Sequence, residues 1–197
     1  IPLSFSQQRL WFLDQMLPNN TIYNIPIALS LSGTLDINIF EKALNFVLQR
    51  HESLRTIFPV KGDEAYQVIL PDFFVDLQDN IVNLSTLEKV EQQDMVKQLL
   101  EKEANYIFNL ASGPLIKVKL LILSTNEFVF LMTLHHIISD GWSTTIIFKE
   151  LSILYNSYLL GQELLLAELP IQYADFCIWQ RSYVTGGVLE RQLDYWK

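Results

Sequence analysis

Apolar and polar positions along the first part of the chain change between a helical and a strand spacing. Phe5 to Met16 has the pattern of a short amphipathic helix, which Leu17-Pro18-Asn19-Asn20 ends. Ile25 to Leu31 is typical of a strand, and Ser32-Gly33 breaks it. Asp36 is suited to cap a second helix. One face of that helix is apolar and carries Phe40, Ala43, Leu44, Val47 and Leu48.

The next apolar runs are shorter. Leu54 to Val60 and Ala65 to Leu70 predict a pair of strands around the turn Lys61-Gly62-Asp63. Ser85-Thr86-Leu87-Glu88 is a capping-box pattern and predicts a helix that runs to about Phe108.

Two consecutive strands follow. Leu115 to Leu123 alternates, with Lys117 and Lys119 on the polar side, so we expect that side to face water. Phe128 to Leu134 is apolar at successive positions, and such a strand usually lies in the centre of its sheet.

The last third of the chain has helical spacing. Ser139 or Ser143 is expected to begin a helix with the apolar stripe Ile147, Leu151, Leu154, Tyr155 and Tyr158. Pro170 separates it from a helix over Tyr173 to Tyr183, and another helix follows Gly186-Gly187. The sum predicts an α/β (α+β) fold, in which helices flank a mixed β-sheet.

Composition narrows the class of protein. Half of the 197 residues are apolar and 18% are charged, which suits one domain, residues 1–197, with a substantial core. With 14 basic and 22 acidic residues the net charge is −8, which argues against a nucleic-acid partner. No apolar run is long enough for a membrane span, and no signal peptide is recognised. Cys177 is the only cysteine, so we expect a reducing, cytoplasmic location. The missing initiator Met suggests a piece of a longer polypeptide.

The most informative segment is Leu134 to Ser143. It places His135 and His136 at the exit of the buried strand and follows them with Asp140-Gly141. Successive strand side chains point to opposite faces, so one histidine should face the core and the other an open cleft. Asp140 could orient a histidine or hold the loop to an arginine, and Gly141 permits a tight or left-handed turn.

Several interpretations of this segment stay open. Both histidines could simply be core residues with hydrogen-bond partners. A metal site at His135, His136 and Asp140 is disfavoured because the two rings diverge. A serine hydrolase built on Ser139 or Ser143 lacks the Gly-x-Ser-x-Gly turn. General base catalysis, or positioning of a transition state, by one histidine is the sharpest chemical interpretation.

The segment His135 to Gly141 resembles the His-His-x-x-x-Asp-Gly signature of condensation domains of non-ribosomal peptide synthetases, which are members of the chloramphenicol acetyltransferase-like superfamily. Three other segments resemble motifs of the same family in the same order. They are Ser4 to Leu13, Arg50 to Phe58 and Tyr173 to Gln180. The resemblance implies the N-terminal lobe of such a domain, with the C-terminal lobe absent from this chain.

The resemblance also implies a reaction. Two carrier proteins would bring thioester-linked groups on phosphopantetheine arms, and the acceptor amine would attack the donor thioester. By position His136 is the catalytic candidate, as a base or as a positioner of the amine, and His135 is structural. No bound cofactor and no metal are expected. Expected partners are the donor and acceptor carrier proteins, the missing lobe and a neighbouring adenylation domain.

Other residues receive supporting roles from the same resemblance. Asp140 would form a salt bridge that shapes the loop, with Arg55 as the preferred partner and Arg50 as the other candidate. Gly141 would let the backbone approach the pantetheine. Trp142 and Ser143 are candidates for lining the substrate channel. In the fourth segment Tyr173, Phe176, Cys177 and Trp179 are interpreted as core residues.

Two alternatives accompany the condensation hypothesis. One is an epimerisation domain of the same superfamily, which also keeps the histidines. The other is a non-catalytic module that recruits carrier or tailoring proteins. A lobe without its other half is in any case expected to be inactive by itself.

Overall fold

Helices lie against both faces of a four-stranded sheet. The computed structural model describes residues 1–162 and 166–197. The helices are α1 (Phe5–Met16), α2 (Ile37–Arg50), α3 (Lys89–Ala104), α4 (Gly141–Leu159), α5 (Tyr173–Tyr183) and α6 (Gly186–Trp196). The strands are β1 (Asn24–Ser32), β2 (Thr56–Ile57), β3 (Val60–Lys61), β4 (Glu64–Ala65), β5 (Val68–Ile69), β6 (Ile81–Asn83), β7 (Ile116–Ser124) and β8 (Glu127–His135).

The main sheet has the strand order β1-β8-β7-β6. β8 pairs antiparallel with β1 on one side and with β7 on the other, and β6 joins β7 in parallel. Asn24 lies opposite His135, so the exit of β8 is flanked by the start of β1. The central position of β8 and the mixed α+β class are both confirmed.

Alternate side chains of β8 feed two apolar layers. Phe128, Phe130 and Met132 belong to the larger core cluster, which includes the buried faces of α2 and α4. Val129 and Leu131 lie in a smaller cluster with apolar residues of α3. Because helices cover both faces, β8 is apolar at successive positions. No helix of the described residues is long and apolar enough to cross a membrane.

The prediction that Lys117 and Lys119 face open water is wrong. Glu103, near the end of α3, is buried on this face of the sheet, and its carboxylate lies 3.6 Å from Lys117 Nζ and 3.0 Å from Lys119 Nζ. Lys117 Nζ also lies 4.0 Å from the centroid of the Tyr106 ring. The polar side of β7 is therefore a contact between α3 and the sheet.

The predicted bounds of α3 are also wrong. Glu88 is the N-cap residue of α3, and its side chain makes no capping hydrogen bond. Ser85 donates instead from its N–H and its hydroxyl to Asn83 Oδ1, at 3.0 and 2.7 Å, so it belongs to a turn. At the other end the Asn24 side chain donates to the carbonyls of Ala104 and Tyr106, and the helix stops there and not at Phe108.

The expected strand pair around Gly62 is present in two short pieces. Leu54 lies in a 3-10 turn, Glu52–Arg55. Thr56–Ile57 pairs with Val68–Ile69. A separate pair, β3 with β4, flanks the turn at Gly62, whose φ is +66°.

Three helix predictions were accurate. α1 and α5 have the predicted bounds, and the expected face of α2 is buried. Asp36 caps α2 through a hydrogen bond of 3.0 Å from the Ile39 N–H. For α4 the prediction of Ser139 or Ser143 as the first residue is wrong, since Asp140 is the N-cap.

Candidate functional site

The two adjacent histidines point in opposite directions, as the alternation of strand side chains predicts. His135 is only 4% exposed, and its ring lies beside the rings of Tyr23 and Phe108. Its Nδ1 accepts a hydrogen bond of 3.2 Å from the Ile137 N–H. Burial lowers the pKa of His135 to about 4, with a smaller effect from the charge of His136, so this ring is neutral near pH 7.

His136 is exposed, and the backbone fixes its tautomer. The backbone N–H of His136 donates to the Tyr23 carbonyl at 2.8 Å, which continues the strand pairing by one residue. Its Nδ1 lies 2.8 Å from the Ser139 carbonyl oxygen. A carbonyl only accepts, so Nδ1 carries the proton and Nε2 of the neutral ring keeps its lone pair. The arrangement presents a hydrogen-bond acceptor that can also take a proton.

His136 lines a cavity of about 320 Å³ to which all four motif segments contribute. From the third segment come His136, Ile137, Ile138, Ser139 and Asp140, and Ser143 lies two residues after it. The first segment supplies Ser6, Arg9 and Leu10, the second Ser53 and the fourth Tyr173, and Tyr23 completes the lining. The sequence analysis did not select Ser6, Arg9, Ser53 or Tyr173 as site residues. Their only signal was their place inside the recognised segments.

The predicted salt bridge of Asp140 is wrong. Asp140 Oδ1 accepts hydrogen bonds from the Ser143 N–H at 2.8 Å and from the Ser143 hydroxyl at 2.6 Å. These bonds hold the pKa of Asp140 below its usual value, and the bond from the Ser143 hydroxyl has the larger effect. In the part of the chain that the structure describes, neither Arg55 nor Arg50 lies within ion-pair distance of this carboxylate. Asp140 instead caps α4 and so fixes where the histidine loop ends.

The two arginines hold other parts of the fold. Arg55 donates to the Leu70 carbonyl at 2.7 Å and lies 3.7 Å from the carboxylate of Glu52. Arg50 pairs with Glu150 of α4 at 3.2 Å, and His51 Nε2 lies 2.7 Å from the same carboxylate. The second segment thus connects the end of α2 to the helix that follows the histidine loop.

Gly141 permits a tight or left-handed turn, but it does not adopt a left-handed conformation. It is the first residue of α4, and its φ is not positive. A Cβ at this position would meet no atom of the described residues within 4 Å. Its role beside a pantetheine arm therefore stays a prediction. The channel roles of Trp142, which is 78% exposed, and Ser143, which lines the cavity, also stay predictions.

A buried polar network lies behind the cavity. The Gln7 amide nitrogen donates to the Ile137 carbonyl at 3.4 Å and to Gln67 Oε1 at 3.2 Å. Its amide oxygen accepts from the Ser4 N–H at 2.9 Å and from the Cys177 thiol at 3.4 Å. The network joins α1, α5 and the residue that follows His136, so it supports the loop from inside.

Side chains of α5 are only partly core, in contrast to the prediction. Cys177 is fully buried, and burial raises the pKa of its thiol. Tyr173 and Trp179 are 39% and 53% exposed.

Among residues 1–162 and 166–197, no three histidine, cysteine, aspartate or glutamate side chains are grouped as metal ligands.

A family model described as "Condensation domain" matches residues 1–197. Among curated proteins, a linear gramicidin synthase of Brevibacillus parabrevis is 45% identical over 197 residues. That match covers 100% of this chain and 2% of the relative, so the chain spans a small part of the relative's length.

Solved structures share the architecture. The starter condensation domain of rhizomide synthetase RzmA aligns with 99% of this chain and 48% of its own, with a TM-score of 0.87 and 22% identity. At this identity the likeness shows the fold alone. The X-domain in its complex with OxyB from teicoplanin biosynthesis aligns with 93% of this chain and 38% of its own, with a TM-score of 0.82 and 29% identity.

Proposed function

Because this chain belongs to the condensation-domain family of non-ribosomal peptide synthetases, we propose that it supplies one wall of a site for amide-bond formation. The acceptor's amine nitrogen attacks the carbonyl carbon of a donor thioester. The new C–N bond forms, the C–S bond breaks, and the donor's carrier leaves as a free thiol. The amine loses one proton, which the departing thiolate takes up.

The observation that carries this proposal is the fixed tautomer of His136. The Ser139 carbonyl holds the proton on Nδ1, so Nε2 accepts a hydrogen bond from the attacking amine. An α-amine is partly neutral near pH 8, so orienting the amine and removing its proton are both compatible with this geometry. In either case the loop must keep the ring in place, which is the supporting role we assign to His135 and Asp140.

The substrates and partners belong to the same proposal. Donor and acceptor groups would arrive on phosphopantetheine arms of two carrier proteins, so no resident cofactor is needed. A C-terminal lobe would supply the opposite wall, and an adenylation domain would load a carrier, in the cytoplasm. The alignment with only 48% of a solved condensation domain supports the idea that this chain corresponds to one of two lobes.

Two other functions can be tested against this one. A recruitment module without chemistry is favoured by the likeness to an X-domain that was solved as a complex with OxyB. An epimerisation domain would use the same imidazole to move a proton at the substrate's α-carbon. The open cavity around His136 favours chemistry over recruitment alone.

The test uses the parent enzyme, in which we propose that this chain is followed by a second lobe. We expect His136→Ala to lower the rate of amide formation from two loaded carriers by about 100- to 10,000-fold without unfolding the protein. His136→Gln offers a polar group without basicity, so it should retain part of the rate if His136 mainly positions the amine. His51→Gln changes a half-buried histidine outside the cavity, which pairs with Glu150, and should keep the turnover.

The outcomes separate the three functions. A folded His136→Ala parent with normal amide formation would contradict the proposal. Exchange of the α-proton without any amide product would indicate epimerisation. Binding of a partner protein with no turnover in the wild-type parent would indicate recruitment.

A further inference from the structure

Tyr173 brings a phenol group to the same cavity as His136. It is the first residue of α5, is 39% exposed and is one of the residues that line the cavity. Its hydroxyl lies 3.0 Å from the hydroxyl of Ser4. The proposed function gives Tyr173 no role. Its hydroxyl can donate and accept hydrogen bonds, which indicates a hydrogen-bonding role.

The hydrogen bonds of Ser4 indicate which of the two hydroxyls is the donor. Ser4 is fully buried, and its Oγ already accepts a hydrogen bond of 3.1 Å from the Gln7 N–H. Its own proton needs an acceptor, because a buried donor without one is costly. The Cys177 sulfur is close to Ser4 but is a weak acceptor, and the Tyr173 oxygen is a good one.

If Ser4 donates to Tyr173, the phenol proton of Tyr173 is left free. Tyr173 is one of the residues that line the cavity, so the inference directs this proton toward a bound substrate. Burial raises the pKa of Tyr173, and this effect exceeds that of the Ser4 hydrogen bond, which lowers it. The phenol therefore stays protonated near neutral pH and keeps its donor.

We propose that the Tyr173 hydroxyl donates a hydrogen bond to the carbonyl oxygen of the thioester that is attacked in the His136 cavity. This inference rests on the proposed function. As the amine nitrogen bonds to the carbonyl carbon, the C=O electron pair moves onto this oxygen, and the phenol stabilises the negative charge. When the C–S bond breaks the carbonyl re-forms, and Tyr173 still holds its proton.

Tyr173→Phe in the parent enzyme tests this directly, because it removes only the hydroxyl. Removing one donor to such an oxyanion typically lowers kcat by about 100-fold, and we expect a fall of that order with KM changed by less than about threefold. Tyr183→Phe is the matched control. It alters an exposed tyrosine in the same helix, outside the cavity, and should leave kcat unchanged.

Ser4→Ala distinguishes a direct role of the phenol from a structural one. The substitution breaks the same Ser4–Tyr173 contact but leaves the phenol in place. If Tyr173 acts on the substrate, Ser4→Ala lowers kcat much less than Tyr173→Phe does. Equal losses in the two variants would overturn the inference, and so would a folded Tyr173→Phe enzyme with normal kcat.

A fluorinated tyrosine at position 173 gives a second measurement that keeps the shape of the side chain. Its more acidic phenol should change kcat and the pH profile, whereas the same residue at position 183 should change neither. Amide formation by the wild-type parent, with no effect at Tyr173, would refute only the role of this residue. A wild-type parent that forms no amide would refute the proposed function and this inference together.

Discussion

At the scale of single residues, the two neighbouring histidines differ because the backbone gives each Nδ1 a different partner. The Ile137 N–H donates to Nδ1 of His135, so that ring carries its proton on Nε2. The Ser139 carbonyl accepts from Nδ1 of His136, so the neutral form of that ring has a bare Nε2. Two residues of the same type thus have different roles, because the loop buries the imidazole of His135 and leaves that of His136 available.

The buried state of His135 predicts a pH dependence of stability. Its folded pKa is about 4 against 6.5 for an ordinary histidine. Between these values the unfolded chain binds a proton that the folded chain does not, so the free energy of unfolding falls as the pH drops from about 6.5 to 4. The difference corresponds to a loss of about 3 kcal/mol, which urea unfolding over this pH range would measure.

His135→Asn is the control for this titration. Its amide oxygen can take the place of Nδ1 as the acceptor for Ile137, but the side chain does not titrate. The variant should be less stable at pH 7 because part of the ring's packing is lost, yet its stability should decline less between pH 6.5 and 4. An unchanged decline would assign the pH dependence to other groups.

Asp140 is predicted to act through its hydrogen bonds to Ser143 and not through an ion pair. Asp140→Ala removes the N-cap of α4 and should cost about 1 kcal/mol in the free energy of unfolding. Asp140→Asn keeps an acceptor oxygen and loses only the charge, so it should cost about 0.5 kcal/mol. Chemical denaturation of the three proteins measures both.

A much larger cost for Asp140→Asn would support the salt-bridge prediction instead. If Asp140 were in a buried ion pair, Asp140→Asn would leave a charge unpaired and cost about 3–5 kcal/mol. The sequence did not distinguish these cases. An aspartate at the start of a helix is suited both to a cap and to a salt bridge, and the choice depends on where Arg55 lies in three dimensions.

At the scale of elements, the sequence predicted what local interactions decide. α1 has the predicted bounds because Ser4 and Gln7 form a capping box within one turn. α2 was recognised from the face around Leu44 and its cap Asp36. For α3 the same kind of local signal failed, because Asn83 takes the hydrogen bonds of Ser85 and Asn24 binds the carbonyls at the other end.

β7 illustrates an interaction that no local pattern contains. Alternation correctly gave it one apolar face, but Lys117 and Lys119 pair with Glu103, which lies on another element. The cavity follows the same rule. His136 was predicted from its own segment, whereas Tyr173 joins it only because α5 packs against α1, where Gln180 accepts from the Phe5 N–H.

The pairing of α3 with β7 makes a prediction about Glu103. Glu103→Ala leaves two lysines without their shared carboxylate and should lower the free energy of unfolding by about 2 kcal/mol. This is less than for a fully buried pair, because Lys117 remains partly exposed and can reach water. Glu101→Ala, at an exposed position two residues earlier, should change it by less than about 0.5 kcal/mol.

A double-mutant cycle between Glu103 and Lys119, whose charged groups are 3.0 Å apart, isolates their interaction. We expect a coupling free energy of about 1 kcal/mol. Additive effects of Glu103→Ala and Lys119→Ala would show that the contact contributes nothing and that the loss has another origin.

At the scale of the whole molecule, the sheet holds the histidine loop and α1 and α5 form the surrounding wall. The loop leaves β8 between the starts of β1 and β7, since Asn24 faces His135 and Ile116 faces Leu134. Trp142 lies beside the loop and is 78% exposed. An exposed indole next to a cavity is typical of a surface that contacts another group.

This arrangement leads to a prediction about the chain by itself. Under the proposed function this chain is one of two walls, which can hold His136 in position but cannot by itself enclose two tethered substrates. Orientation of both reactants would account for much of the rate of such a reaction. We therefore expect the isolated chain, once circular dichroism shows that it is folded, to form no amide from two loaded carriers.

Restoring the second wall should restore the reaction. The second lobe of the same parent, added as a separate polypeptide, should give amide formation that rises with its concentration, and the same lobe added to the His136→Ala chain should give none. Sustained turnover by the isolated chain would mean that one wall orients both substrates. In that case the proposed division of the site between two lobes is wrong, while the role of His136 would still be decided by the variant.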